Sequence, residues 1–370
     1  MSNESVNAKA LWLMLQRYWF RPLSLQQWLM LVLAVVALLT PVAAASFGAA
    51  DIAFGDVLRI FVGQFIDLNA ISWGEPSAMS QRIVLELRLP RMLLAFVAGA
   101  GLSIAGSVLQ TVTRNPLADP YLFGISSGAS FGAVVMLTCL TGTGLLADFA
   151  PTSGSLMWFS LPLGAFMGAS LSVLLVFAVS GGGLHSQVER MLLSGVATSF
   201  MFGALTSLLL YFASPQATAS VLFWSLGSFA KATWSVLWLP CLVVSASIVV
   251  ILAFKRQIMA LQAGDETAHT LGVNVAKLRL SMLLLCSLIT AILVASCGGI
   301  GFVGLMIPHT VRLLFPGRQS VLLTALVGGL FMVWIDVIAR CVLGNQELPV
   351  GIITAAIGSL FFLVVLRHRR

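Results

Sequence analysis

Apolar residues occur along this chain in long blocks broken by short polar islands. Ten blocks stand out, at 26–47, 90–112, 121–141, 156–180, 190–212, 234–254, 278–297, 300–315, 320–341 and 349–366. Most approach the roughly 20 residues that cross a bilayer as a helix at about 1.5 Å per residue, and the eighth is short. The pattern predicts an all-α, polytopic membrane protein with about ten transmembrane helices. A cytoplasmic N-terminal segment, 1–25, then precedes a single transmembrane domain, 26–368, whose first long loop, 48–89, is extracytoplasmic.

Composition agrees with that reading. The chain of 370 residues is 59% hydrophobic and 9% charged, with mean hydropathy +1.01. A soluble core needs far less. The five cysteines, 139, 241, 286, 297 and 341, are scattered singly through apolar runs, without a CxxC or a Cys/His cluster. That spacing suits helix packing better than disulfides or metal ligands. "PVAAAS" at 41–46 imitates a signal-cleavage site, but Glu4, Lys9, Arg17 and Arg21 make the preceding segment long and charged, so helix one is read as a retained anchor.

Charge orients the helices. With both termini in the cytoplasm, Lys9, Arg17, Arg21, Arg114, Arg190, Lys255, Arg256, Lys277, Arg279, Arg312, Arg318, Arg367, Arg369 and Arg370 all lie inside, the bulk of the 20 basic residues. These charges are spread over short loops, so the basic balance calls for no nucleic acid.

One polar island invites a function. "QAGDETAHTLGV", 262–273, places Asp265, Glu266 and His269 within five residues, bracketed by Gly264 and Gly272. Asp265 is placed to cap a helix of about two turns in the cytoplasmic region 262–277. Its bland reading is a solvated connector; its sharper one is a docking helix for a cytoplasmic partner. No GxxxxGK[ST] phosphate loop occurs and ten helices leave no room for a soluble catalytic domain, so the chain is not expected to be an enzyme, and any ATP is bound by another chain. A proton-driven secondary transporter needs ionisable groups at membrane depth. Asp119, Glu189 and Glu347 fall at helix ends instead, and Asp336 has Arg340 one turn on to pair with it. The four histidines, 185, 269, 309 and 368, are too dispersed for a metal shell, which argues against a permease for bare metal ions. No role is assigned to His309.

Four motifs carry a family resemblance: "ELRLPRMLLAFVAGAGLSIAGSVLQTVTRNPLADPYLFGISSGASFGAVV" (86–135), "AGDETAHTLGV" (263–273), "GGIGFVGLMIPHTVRLL" (298–314) and "DVIARCVLGNQELPVGIITAAIGSLFFLVVL" (336–366). Over about 50–368 the chain resembles the FecCD-type permease subunits of binding-protein-dependent ABC importers of iron-siderophores, haem and vitamin B12. The resemblance implies a vitamin B12 importer permease-like fold in the bacterial cytoplasmic membrane. It also implies a second permease copy, two ATPase subunits that hold ATP and Mg, and an extracytoplasmic substrate-binding protein, with no cofactor on this chain.

The resemblance assigns residues too. Gly264, Asp265, Glu266, Ala268, Leu271 and Gly272 match the coupling helix that sits in a groove of the ATPase. Arg88, Arg91 and Arg340 match positions that face acidic residues of the binding protein, a contact that guanidinium forks suit. Arginines at a helix mouth are also ordinary interfacial anchors, and Arg340 competes for Asp336. In the loop 113–128, Asn115 and Leu117 match one cytoplasmic gate. Val188 and Glu189 stand where the second gate element is expected, and depart from the small hydroxyl residues of at least one relative. Small residues recur every fourth position, Gly195, Ser199, Gly203 and Ser207 on helix five and Gly351, Ala355 and Ser359 on helix ten. They fit either packing within the chain or the pathway and twofold contact between copies.

Overall fold

The computed structural model describes residues 24–48, 50–64, 76–141, 157–180, 188–317, 320–343 and 346–368. The expected N-terminal segment lies almost wholly outside them. Two compact units divide the chain at Leu39 and Thr40.

In the first unit, Ser24 and Gln27 form a reciprocal cap that starts helix α1, Leu25–Ser46. The Ser24 N–H donates to Gln27 Oε1 at 2.8 Å, and the Gln27 N–H to Ser24 Oγ at 3.4 Å.

In the second unit α2 (Phe54–Gly63) and α3 (Ala78–Arg82) lie in the first long loop. From α3 the helix continues through a π-helical stretch, Ile83–Arg88, into α4 (Leu89–Val112). A 3₁₀ turn, Pro120–Phe123, precedes α5 (Ile125–Thr141). Then follow α6 (Met157–Val179), α7 (Val188–Phe212), α8 (Pro215–Ser225), α9 (Trp234–Ala253), α10 (Lys255–Gln262) and α11 (Asp265–Thr270). The last four are α12 (Val275–Cys297), α13 (Val303–Leu314), α14 (Val321–Cys341) and α15 (Val350–His368).

Seven helices of the described residues are long and apolar enough to cross a membrane, and three shorter apolar ones, within α5, α13 and α15, bring the set to the ten blocks read from sequence. The short helices α2, α8 and α10 were not anticipated. For α8 the signal was present: Ser214 caps it by accepting from the Ala217 N–H at 3.3 Å, and Pro215 fills its first turn.

α4 is the axis. In its apolar window 78% of residues are buried, against 22% in that of α7, and α9, α12, α13 and α14 all pack on it. The cause is its run of small residues, "AGAGLSIAGS". A side chain at Gly99 would collide with the Gly328 carbonyl of α14, and one at Gly106 with the Gly304 carbonyl of α13. Helices in lipid gain little from hydrophobic association, so close backbone approach is what holds them together.

Two stretches of irregular backbone meet inside this bundle. Between α4 and α5 the chain turns through 113–124, and between α12 and α13 it unwinds over 298–302. The Ile300 N–H donates to the Tyr121 hydroxyl at 2.9 Å. The Gly227 and Leu226 carbonyls, at the end of α8, accept from the N–H groups of Val350 and Gly351, both at 3.1 Å, and the Ser228 N–H donates to the Cys297 carbonyl at 2.8 Å. Non-helical backbone inside the bundle persists because other backbone and the Tyr121 hydroxyl satisfy it.

Candidate functional site

The polar residues singled out by sequence gather at opposite ends of the bundle. At one end are three arginines. The side chains of Arg88 and Arg91, three positions apart, diverge. The Arg88 guanidinium is buried and turns back onto the end of α1, donating to the carbonyls of Ala45, Ser46 and Ala50. Arg340, also buried, donates from Nη1 to the Phe47 carbonyl at 3.1 Å and from Nη2 to that of Ala44 at 3.3 Å. A helix leaves its last carbonyls without intrahelical partners, and here two guanidinium groups supply them.

Arg91 binds across the bundle. Its Nε donates to both Asp336 oxygens, at 2.9 and 3.1 Å, its Nη2 lies 2.8 Å from Oδ1, and its Nη1 bonds Glu347 Oε1 at 2.9 Å. Asp336 also receives Arg340 Nε at 3.2 Å, the pairing read from their spacing. The Asp336 side chain is 1% exposed and that of Glu347 47%. Sequence reading missed that Arg91 shares Asp336, since a contact across 245 positions leaves no local trace.

At the other end stands α11. Gly264 at φ 119° and Gly272 at φ 79° bracket it in backbone that other residues adopt at a cost. Asp265 does not cap the first turn as expected, because Gly264 is the N-cap and no side chain caps it. Its carboxylate instead accepts from Arg279 Nη2 at 3.0 and 3.1 Å and lies 3.3 Å from Arg114 Nη2. Arg279 also donates through Nε to the Val112 carbonyl at 3.2 Å, so α11 is tied to the end of α4 and the start of α12. Ala268 is fully buried beneath it, while Glu266 and Leu271 face outward. Arg114 and Arg279 were counted only as positive-inside charges; their role here shows only in three dimensions.

Of the residues matched to a gate, Asn115 directly follows Arg114, which pairs with Asp265 of α11. Asn115 Oδ1 accepts from the Leu117 N–H at 2.9 Å, a turn that leaves Leu117 44% exposed. Further along the loop Asp119 is buried, accepting from the Tyr121 N–H at 2.8 Å. Val188 and Glu189 are the first residues of α7; their side chains lie outside the described ones.

The small-residue faces split. Gly195 is buried and Ser199 half-buried near Gly124, where a Cβ would come within 3.2 Å of Ser199 Oγ and 3.4 Å of the Gly195 carbonyl. A Cβ added at Gly203 would meet nothing within 4 Å, and Ser207 is exposed. On α15, Gly351 is pressed against the carbonyls of Leu226 and Gly299, Ala355 is half-buried, and Ser359 is exposed.

Residues 30–368 match the model of the FecCD transport family. The chain is 39% identical to a cobalamin import system permease protein of Halobacterium salinarum over 301 residues, covering 81% of this chain and 77% of that one. It is 37% identical to a hemin transport system permease protein of Yersinia pestis over 292 residues, covering 78% and 84%. A solved inward-facing structure of a metal-chelate type ABC transporter superposes with a TM-score of 0.74 at 29% identity, covering 92% of this chain and 99% of that one.

Proposed function

The chain belongs to the FecCD transport family, as a multi-pass permease subunit, and from that membership we propose that it carries an iron chelate, siderophore or haem, inward across the bacterial cytoplasmic membrane. In this reading it pairs with a second permease copy, receives substrate from an extracytoplasmic binding protein, and has both termini in the cytoplasm. Two separate ATPase subunits hold ATP and Mg; this chain holds no cofactor and hydrolyses nothing. Cobalamin is the second reading for substrate, favoured by the 39% identity to a cobalamin import permease.

The observation that carries the proposal is the mounting of α11. A two-turn helix offers Glu266 and Leu271 outward while Asp265 is gripped by Arg279 and Arg114. Force on the exposed face is then passed to α4 and α12 rather than dissipated in a loose loop. Coupling of this kind needs an ATPase whose nucleotide states bind α11 differently.

Two variants separate contact from transmission. Glu266→Lys with Leu271→Asp is expected to abolish copurification of the ATPase. Asp265→Asn is expected to retain the ATPase but to hydrolyse ATP with less uptake per turnover. Wild-type copurification and uptake in the first variant would end the assignment of α11. Uptake of labelled ferric siderophore, haem and cobalamin by reconstituted vesicles decides the substrate.

A further inference from the structure

The two irregular stretches of the bundle belong to opposite ends. Residues 113–124 join α4 to α5 at the α11 end, where Arg114 lies 3.3 Å from Asp265. Residues 298–302 join α12 to α13 at the arginine end, because α12 starts beside α11, with Arg279 on Asp265, and runs away from it. The two stretches touch nonetheless. α13 has 12 residues, about 18 Å of helix against the roughly 30 Å of a hydrocarbon core, so the loop that leads into it is drawn into the bundle. The other loop reaches as far: a Cβ at Gly304 would come within 3.4 Å of Pro120 Cδ and 3.0 Å of the carbonyl of Leu102, which lies midway along α4.

Among the described residues one hydrogen bond joins the two stretches, from the Ile300 N–H to the Tyr121 hydroxyl at 2.9 Å. The Tyr121 ring packs against a buried cluster that includes Phe123, Val173 and Val294, which fixes the reach of the hydroxyl. Ile300 is 2% exposed, so its N–H is shielded from water and the two loops must move together or leave a buried donor unsatisfied.

Each side of this bond carries something that matters to a permease. On the Tyr121 side lie Asn115 and Leu117, with Arg114 and its pairing to α11 just before them. On the Ile300 side the Gly299 carbonyl lies where a side chain at Gly227, just past the end of α8, or at Gly351, in the first turn of α15, would collide with it. Two turns further along α15, Gly358 rests on the Phe302 side chain. Residues 299–302 are thus the seat of α15 and of the end of α8. Phe302 holds φ 67°, a left-handed conformation that a bulky residue adopts at a cost, so the seat is kept in shape by its neighbours rather than by its own preference.

We propose that the Tyr121 hydroxyl is a positioning strut that couples the two ends. Displacement of α11 passes through Arg114 into the 113–121 loop and is delivered by Tyr121, through Ile300, to the seat of α15 and α8. This deepens the reading of the chain as an ATP-driven permease and rests on it.

The test compares the permease–ATPase complex in nanodiscs with and without vanadate-trapped ADP, by hydrogen-exchange mass spectrometry. In wild type the trapped nucleotide is expected to alter exchange at 265–270, at 113–118, and at 226–228 with 350–352. Tyr121→Phe deletes one oxygen and leaves the ring in its cluster. Faster exchange at Ile300 would follow from a purely structural bond as well, so the diagnostic is the difference made by nucleotide. In the variant that difference is expected to persist at 265–270 and 113–118 and to shrink about fivefold at 226–228 and 350–352, the equivalent of one ordinary hydrogen bond. Ser172→Ala is the control for general loosening: it releases the Phe123 and Gly124 carbonyls of the same loop without touching Ile300, and should keep the full response. A full response at 226–228 and 350–352 in Tyr121→Phe would overturn the strut and give the coupling to the continuous helices α4 and α12. An equal loss in Ser172→Ala would overturn it too. No response at 265–270 in wild type would withdraw the ATP-driven reading itself, and the strut with it.

Discussion

Three glycine-to-alanine changes distinguish packing within the chain from a face held open for a partner. At Gly106 the added methyl would meet the Gly304 carbonyl, and at Gly351 those of Leu226 and Gly299. These are backbone atoms and do not swing aside, so the cost belongs at the upper end of the overpacking range, about 3 kcal/mol each. At Gly203 nothing lies within 4 Å, and alanine in a helix interior is favoured over glycine by about 0.8–1.0 kcal/mol. The same substitution is thus expected to differ by about 4 kcal/mol between Gly106 and Gly203, both in helices of one bundle. Chemical unfolding of the purified chain in mixed micelles measures this directly. Gly203→Leu extends the test: as a single chain it should unfold like wild type, while reconstituted vesicles should lose transport and the dimer fraction should fall. Wild-type unfolding of Gly106→Ala would refute the close approach of α4 and α13. Undiminished transport and dimerisation in Gly203→Leu would leave that face to lipid.

Asp336→Asn removes the shared carboxylate of Arg91 and Arg340 and leaves two largely buried cations short of a partner, so a loss of about 3–5 kcal/mol is expected in the same unfolding assay; an unchanged midpoint would mean that the arginines re-pair cheaply. If the binding protein docks on Arg91, Glu347 occupies part of the fork that its carboxylate needs. Glu347→Gln should then tighten docking and Arg91→Glu should weaken it, both effects shrinking in high salt, whereas no response to either change would return Arg91 to a structural role.

The sequence by itself determined everything that depends on neighbours along the chain. Each apolar block is a helix, nine within a few residues of their expected limits and the second extended back to Ala78, because a backbone in lipid must satisfy its own hydrogen bonds and a helix does so locally. Gly264 and Gly272 marked both ends of α11 for the same reason, since a left-handed turn is a demand on one residue. The four motifs were legible as a family because they are contiguous. Tertiary structure decided what those residues do to one another. Arg88 looked like a surface arginine until α1 ended beside it with open carbonyls, and Asp265 looked like a cap until Arg279, 14 positions on, drew it toward α12. The fourfold stripe on α7 read as one face, yet Gly195 is covered and Gly203 is open. Periodicity says which residues share a side of a helix, and only the packing of the other helices says how far along that side the contact extends.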